Sequence, residues 1–198
     1  MLIKFKGIPD ICVPITPLRF PTKQGNFRSM EAVRKLRQAT LVFLVKREDS
    51  GAISEICLAM KKRGFGAGRW NGAGGKFDSG AGDTTIESAA IRETKEEIGS
   101  LALGLGKVAV FDFHFPAKPD WNQQVHAYFC ENWQGEPIES EEMAPRWFAP
   151  ANIPYNKMWP DDVFWLPLVL AGKKIKGKFS FGESDAILEQ QLTEVESF

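Results

Sequence analysis

The stretch Arg92-Glu93-Thr94-Lys95-Glu96-Glu97-Ile98-Gly99 decides how this 198-residue chain is read. Glu93, Glu96 and Glu97 stand at i, i+3 and i+4. A helix through them puts three carboxylates on one face, where each like-charged pair costs about 0.2–0.5 kcal/mol. A helix is expected from Thr85 to Ile98: Thr85 or Thr84 caps it, Ile86, Ala89, Ala90 and Ile91 form its apolar stripe, and Gly99 ends it. Taken alone, the acidic face reads as solvated surface, with Arg92 paired to Glu96 and Lys95 screening the rest. The upstream run Arg69-Trp70-Asn71-Gly72-Ala73-Gly74-Gly75-Lys76 favours the other reading, a divalent cation. Its glycines let backbone N–H groups approach an anion or a metal-bound phosphate closely. A glycine-rich loop, then a helix, then clustered glutamates is far more specific than any one of the three.

Composition narrows the chemistry that this acid could serve. The chain holds 25 Lys and Arg against 25 Asp and Glu, is 43% hydrophobic, and has no run of apolar residues long enough for a transmembrane helix. Three scattered cysteines (Cys12, Cys57, Cys130) argue against a disulfide scaffold and for a reducing compartment, and with only two histidines no zinc set can be written. Metal chemistry must then rest on carboxylates, which points to Mg²⁺ or a relative such as Mn²⁺.

The balanced charge is a sum of unequal parts. Residues 1–39 carry eight basic and two acidic side chains, a surplus of +6 that the remaining residues offset with −6. Gly7, Pro9, Pro14, Pro17, Pro21 and Gly25 break up the first part, and a short basic amphipathic helix is expected around Met30, Val33 and Leu36, flanked by Arg34, Lys35 and Arg37. This extension is expected to be a flexible or packing segment of a cytoplasmic protein; the alternative is an address for mitochondria or another organelle. A single domain is expected from residue 40 to 198.

Within it, strands are expected at Leu41–Val45, Ile56–Met60, Val108–Phe113, Val125–Cys130 and Arg146–Ala149, the first two joined as a hairpin through Glu48–Gly51. A second helix is expected from Asp161 to Leu170, with Pro167 kinking it or lying in its first turns. The class is α/β (α+β), a mixed sheet with a few helices.

The segment RETKEEIGS resembles the second half of the Nudix hydrolase signature, with Arg92, Glu93, Glu96, Glu97 and Gly99 in place. The first half departs. Thr84 stands where the signature has a glutamate, the loop after Gly75 is three residues longer, and Thr94 and Ser100 replace aliphatics. Asp83 or Asp78 is the nearby carboxylate available in exchange. The strings LAMKKRGFGAGRWNGAGGK, PIESEEMAPRWF and MWPDDVFWLPL are similar to the Nudix subfamily that hydrolyses oxidised purine nucleoside triphosphates, and the likeness runs from Thr40 to about Leu192.

The resemblance implies a Nudix fold, a mixed β-sheet sandwiched between helices. It also implies Mg²⁺-dependent hydrolysis of 8-oxo-dGTP, and of 2-hydroxy-dATP, to monophosphate and pyrophosphate. Metal ligands would be Glu93, Glu96, Glu97, the Gly74 carbonyl and Glu142, with Glu97 the first choice for general base. Thr40, Lys61, Phe65, Asn71, Ala73, Gly74, Gly75, Lys76, Trp159, Pro160, Asp161 and Asp162 would bind substrate. Trp159 would stack on the base while the two aspartates face its polar edge, one donating to O6 and the other accepting from N7–H. Read without the resemblance, Asp161 and Asp162 are equally helix caps, and Phe111 and Phe113 are core residues as readily as pocket walls. Lys62 and Arg63, which continue the basic run from Lys61, read equally as a triphosphate-steering patch and as a solvated strand end. The partner implied is a small nucleotide, with no nucleic acid polymer and no membrane, bound by a monomer. Two alternatives stay open: a Nudix pyrophosphatase for another modified nucleotide or a dinucleoside polyphosphate, and a non-catalytic Nudix-fold binding module.

Overall fold

The computed structural model describes residues 36–198, which form one compact unit. The expected extension and most of its basic helix lie outside the described residues. Arg37, placed in that helix from sequence, instead opens the first strand, pairing with Gln123.

Eight strands form one mixed sheet in the order β3-β2-β1-β5-β4-β7-β8, with β6 also on β2. They are β1 (Arg37–Arg47), β2 (Ile53–Lys61), β3 (Trp70–Asn71), β4 (Leu101–His114), β5 (Gln123–Gln134), β6 (Met143–Phe148), β7 (Lys174–Phe181) and β8 (Ile187–Val195). The β1–β2 hairpin forms as expected, and Gly51 takes the positive φ its turn requires. β1 and β5 run parallel, as do β4 and β7.

Alternation along β1 explains the layering. Val42 and Leu44 point to one face, where Ala90 and Ile98 of α1 (Ile86–Ile98) close a core with Tyr128 and Cys130. Phe43 and Val45 point to the other, where Trp165, Leu166 and Val169 of α2 (Asp162–Leu170) pack with Phe111, Phe129 and Phe179. The sheet is thus sandwiched between helices. Cys57 and Cys130 are both buried and unpaired.

α1 starts where the sequence places it: Thr85 Oγ1 accepts from Ser88 N and Ser88 Oγ accepts from Thr85 N, a reciprocal cap. Gly99 ends it in the left-handed conformation. α2 contains Pro167 in its interior rather than its first turn, so the Val163 carbonyl forgoes a helical partner. Strands β3, β7 and β8 go beyond the five expected, and β6 stops at Phe148 rather than Ala149.

Candidate functional site

The acidic face of α1 turns toward the ends of β1 and β2 and the glycine loop. Gly74 and Gly75 pack so close that a Cβ on Gly74 would collide with the Thr40 carbonyl, and one on Gly75 with the Glu93 carboxylate. The close approach lets Gly74 N–H donate to Glu97 Oε2 at 2.8 Å. The loop's backbone donor therefore holds a glutamate in place. Thr40 and Gly75 are joined by backbone and side-chain hydrogen bonds, which tie the loop to β1.

Charge is concentrated here. Lys61 Nζ, at the end of β2, lies 2.7 Å from Glu97 Oε1 and 3.1 Å from Glu142 Oε2. Arg92 bridges Glu93 and Glu96 at 2.9 and 3.0 Å, so the pairing with Glu96 expected of a solvated helix face is present. Lys95 caps the Gly99 carbonyl and leaves the carboxylates alone. Burial raises the pKa of Glu97, with Lys61 and the Gly74 N–H opposing and Glu142 adding to the rise. Burial likewise raises Glu93, with Arg92 opposing it and Glu97 and Glu96 adding to it. Lys61 is penalised by burial too, yet its bonds to Glu97 and Glu142 outweigh this and raise its pKa. Both partners of the Lys61–Glu97 pair thus move upward; for Glu97, desolvation exceeds the pairing gain. Lys61 and Arg63 hold Glu142 below its ordinary value. Lys62 and Arg63 are not free strand-end cations, since they bind Glu139 and Glu142.

Asp83 resolves the departure at Thr84. It grips Arg92 with both oxygens, at 3.0 Å to Nε and 2.8 Å to Nη2, and also accepts from Asp78 N–H. The Arg92 hydrogen bond is the main cause of its lowered pKa. The three added residues fold into the short 3₁₀ turn Ser79–Ala81, capped by Asp78. A carboxylate one position early therefore anchors the arginine beside Glu93. Asp83→Ala is expected to remove two charge-assisted hydrogen bonds from Arg92, which keeps Glu93 and Glu96, and to cost about 2–4 kcal/mol. Thermal unfolding checks this: the midpoint should fall by about 5–12 °C.

Beside the acidic cluster opens a cleft of about 630 Å³. Thr40, Lys61, Phe65, Asn71, Gly74, Gly75, Lys76, Trp159, Asp161 and Asp162 all line it, together with Glu93, Glu97 and Glu142. Ala73 and Pro160 do not: Ala73 is buried in the sheet, paired with Val42 through both backbone groups. Glu96 sits in an adjoining hollow with Glu93, Glu97, Glu142 and Arg63. Phe111 and Phe113 serve both as core and as cleft wall. Phe115 and Phe181 were not expected from sequence, although the alternation in Lys174–Phe181 was a usable signal for the latter. Phe65 stacks on Trp159 with ring centroids 4.9 Å apart.

Of the residues lining the cleft, Asp161 and Asp162 are each only 3% exposed. Neither side chain caps α2, the other role open to them. Asp161 Oδ2 accepts from Trp165 Nε1 at 3.1 Å, and Asp162 Oδ2 from the Trp159 N–H at 3.0 Å. Burial raises Asp161 to about 6. Asp162 is pushed well above its ordinary value, first by burial and then by the charge of Asp161.

The four glutamates suit a hard dication: all are oxygen donors, two are destabilised as anions by burial, and their charges repel. Among the described residues no three of them converge as a ligand set; Lys61 and Arg92 hold them instead.

The chain belongs to the Nudix family, whose domain matches residues 35–169 and so takes in the glycine loop, the acidic helix and the cleft between them. It is 48% identical over 143 residues to the oxidized purine nucleoside triphosphate hydrolase of Mus musculus, covering 72% of this chain and 89% of that protein. It is 46% identical over 141 residues to the protein of the same name from Danio rerio, covering 71% and 88%. A solved MutT mutator protein from Bacillus halodurans shares the fold with a TM-score of 0.65 at 21% identity, over 79% of this chain and 97% of that one. Nudix hydrolases generally act with a divalent metal ion.

Proposed function

We propose that this Nudix hydrolase cleaves oxidised purine nucleoside triphosphates, 8-oxo-dGTP first and 2-hydroxy-dATP also, to the monophosphate and pyrophosphate. The observation that carries the reading is the buried Asp161–Asp162 pair lining an aromatic cleft that Glu93 and Glu97 of the acidic helix line too. Trp159 stacks on the purine, a contact worth about 1–3 kcal/mol that does not distinguish bases. Discrimination falls to the aspartates. Oxidation at C8 turns N7 from an acceptor into an N–H donor, which an ionised carboxylate accepts. The neighbouring carboxyl keeps its proton and donates to O6.

Glu93, Glu96, Glu97, Glu142 and the Gly74 carbonyl would hold Mg²⁺ or Mn²⁺, which supplies charge neutralisation on the phosphates and a more acidic water. Lys61 and Lys76 also line the cleft and offer positive charge to the triphosphate. Glu97 takes the proton of the attacking water. It lines the cleft and is held in place by Lys61 and the Gly74 N–H.

Pyrophosphate release from 8-oxo-dGTP and from dGTP tests the reading. The oxidised substrate is expected to have at least about a hundredfold higher kcat/KM, as sites built on buried hydrogen-bonding groups achieve. Equal turnover of the two would end it.

A further inference from the structure

Arg69 acts on the Asp161–Asp162 pair only through its charge, which opposes the rise of both, yet two distant segments meet on it. Its Nη1 donates to the Met158 carbonyl at 3.2 Å, its Nη2 donates to Asp185 Oδ2 at 2.7 Å, and its guanidinium carbon lies 4.3 Å from the centre of the Trp159 indole. Lysine could not replace it, because a single ammonium has neither the planar face for the indole nor the fixed fork for two acceptors.

Asp185 comes from the turn between β7 and β8, 116 residues away in sequence. Ser184 and Asp185 have φ of 55° and 59°, the only non-glycine residues with positive φ among those described. L side chains disfavour that region, though aspartate tolerates it better than most. Two such residues in succession are strain, and strain persists where surrounding interactions over-determine it. Here the bond from the Arg69 guanidinium to the Asp185 carboxylate offsets it. The pair is about 28–29% exposed, so water screens it only in part. The same hairpin carries Phe181, whose ring meets Trp159 edge-on at 6.2 Å.

We propose that Arg69 and Asp185 are positioning residues for Trp159: the strained β7–β8 turn holds the guanidinium against the indole and so sets how tightly a purine is bound. The inference rests on Trp159 being the base-stacking residue. Neither side chain needs to touch the nucleotide, and the effect should fall on binding in ground and transition states alike.

Calorimetry with 8-oxo-dGMP and steady-state kinetics with 8-oxo-dGTP test it on the full chain. Asp185→Asn is expected to weaken monophosphate binding and raise KM by about tenfold, with kcat within about twofold of the original. Asp185→Gly removes the carboxylate but suits the left-handed backbone, so it should lose the same affinity without a lower melting temperature. If affinity falls only in step with melting temperature, or binding is unchanged or tighter, the positioning role is overturned. In a Trp159→Ala background, Asp185→Asn should add less than about twofold, because its effect passes through the indole. A full, independent tenfold loss there overturns the proposal. Trp159→Ala alone separates the two levels: if it leaves 8-oxo-dGMP binding intact, the base-pocket reading has failed and the clamp falls with it. If it weakens binding while Asp185→Asn does not, only the clamp fails.

Discussion

Glu97→Gln is expected to lower kcat for 8-oxo-dGTP by about 10³-fold or more while leaving 8-oxo-dGMP affinity within about threefold. The substitution is nearly isosteric. Its amide oxygen still accepts one of the two hydrogen bonds that now come from Lys61 Nζ and the Gly74 N–H. What is lost is the capacity to take a proton and the anionic charge. Folding should survive: burial already penalises the Glu97 carboxylate, so a neutral side chain relieves that cost, and Lys61 keeps Glu142 as partner. Rapid-quench turnover beside calorimetry separates the two quantities. A loss of less than tenfold would assign the base to another group, with Glu93, also raised by burial and lining the cleft, the next to test.

The sequence was most legible where chemistry and local structure coincide. The spacing of Glu93, Glu96 and Glu97, the cap at Thr85 and the stop at Gly99 each depend on neighbours a few residues apart, and the structure has each of them in the helix as read. The unbroken apolar run Leu41–Val45 likewise announced a strand buried on both faces. Long-range partners were another matter. Nothing in the local pattern says that Asp83 rather than Asp78 reaches Arg92; a three-residue turn and the Gly82 left-handed bend settle that. Arg69 and Asp185 meet only because a hairpin unread from sequence brings them together. That hairpin was missed because β8, Ile-Leu-Glu-Gln-Gln-Leu-Thr-Glu-Val, is mostly exposed and polar, with little alternation to mark it. The capping role open to Asp161 and Asp162 shows the reverse failure. Both residue types suit a helix start, yet buried tryptophan and backbone N–H groups take their oxygens instead.

The aspartate pair carries the second large effect, and its pH dependence distinguishes the two residues. Burial raises Asp161 to about 6, and burial together with the charge of Asp161 holds Asp162 well above its ordinary value, so the pair is expected to give up its first proton from Asp161. Affinity for 8-oxo-dGMP should therefore follow a bell in pH. It rises as Asp161 ionises through about 6 and falls when Asp162 in turn loses its proton. Asp161→Asn removes the charged acceptor for N7–H and should cut kcat/KM for 8-oxo-dGTP by about 10²–10³-fold, with much less effect on dGTP. Asp162→Asn imitates the protonated carboxyl, since its amide donates to O6 while its oxygen still accepts from the Trp159 N–H. It should bind well at neutral pH, keep the acid limb and lose the alkaline one. Stability moves the other way. Both folded-state pKa values lie above the unfolded value, so the folded chain binds these protons more tightly. The stability this contributes is complete below the ordinary aspartate range and is lost as pH rises through about 6 and beyond. Either asparagine should thus melt higher than the natural chain at pH 8, where folding buries the Asp161 charge and holds on Asp162 a proton that the unfolded chain gives up, even though Asp161→Asn disables recognition. A variant more stable and less selective at once would mark these carboxylates as strain retained for binding. A flat pH profile, or an Asp162→Asn variant that keeps its alkaline limb, would remove the aspartates from base recognition.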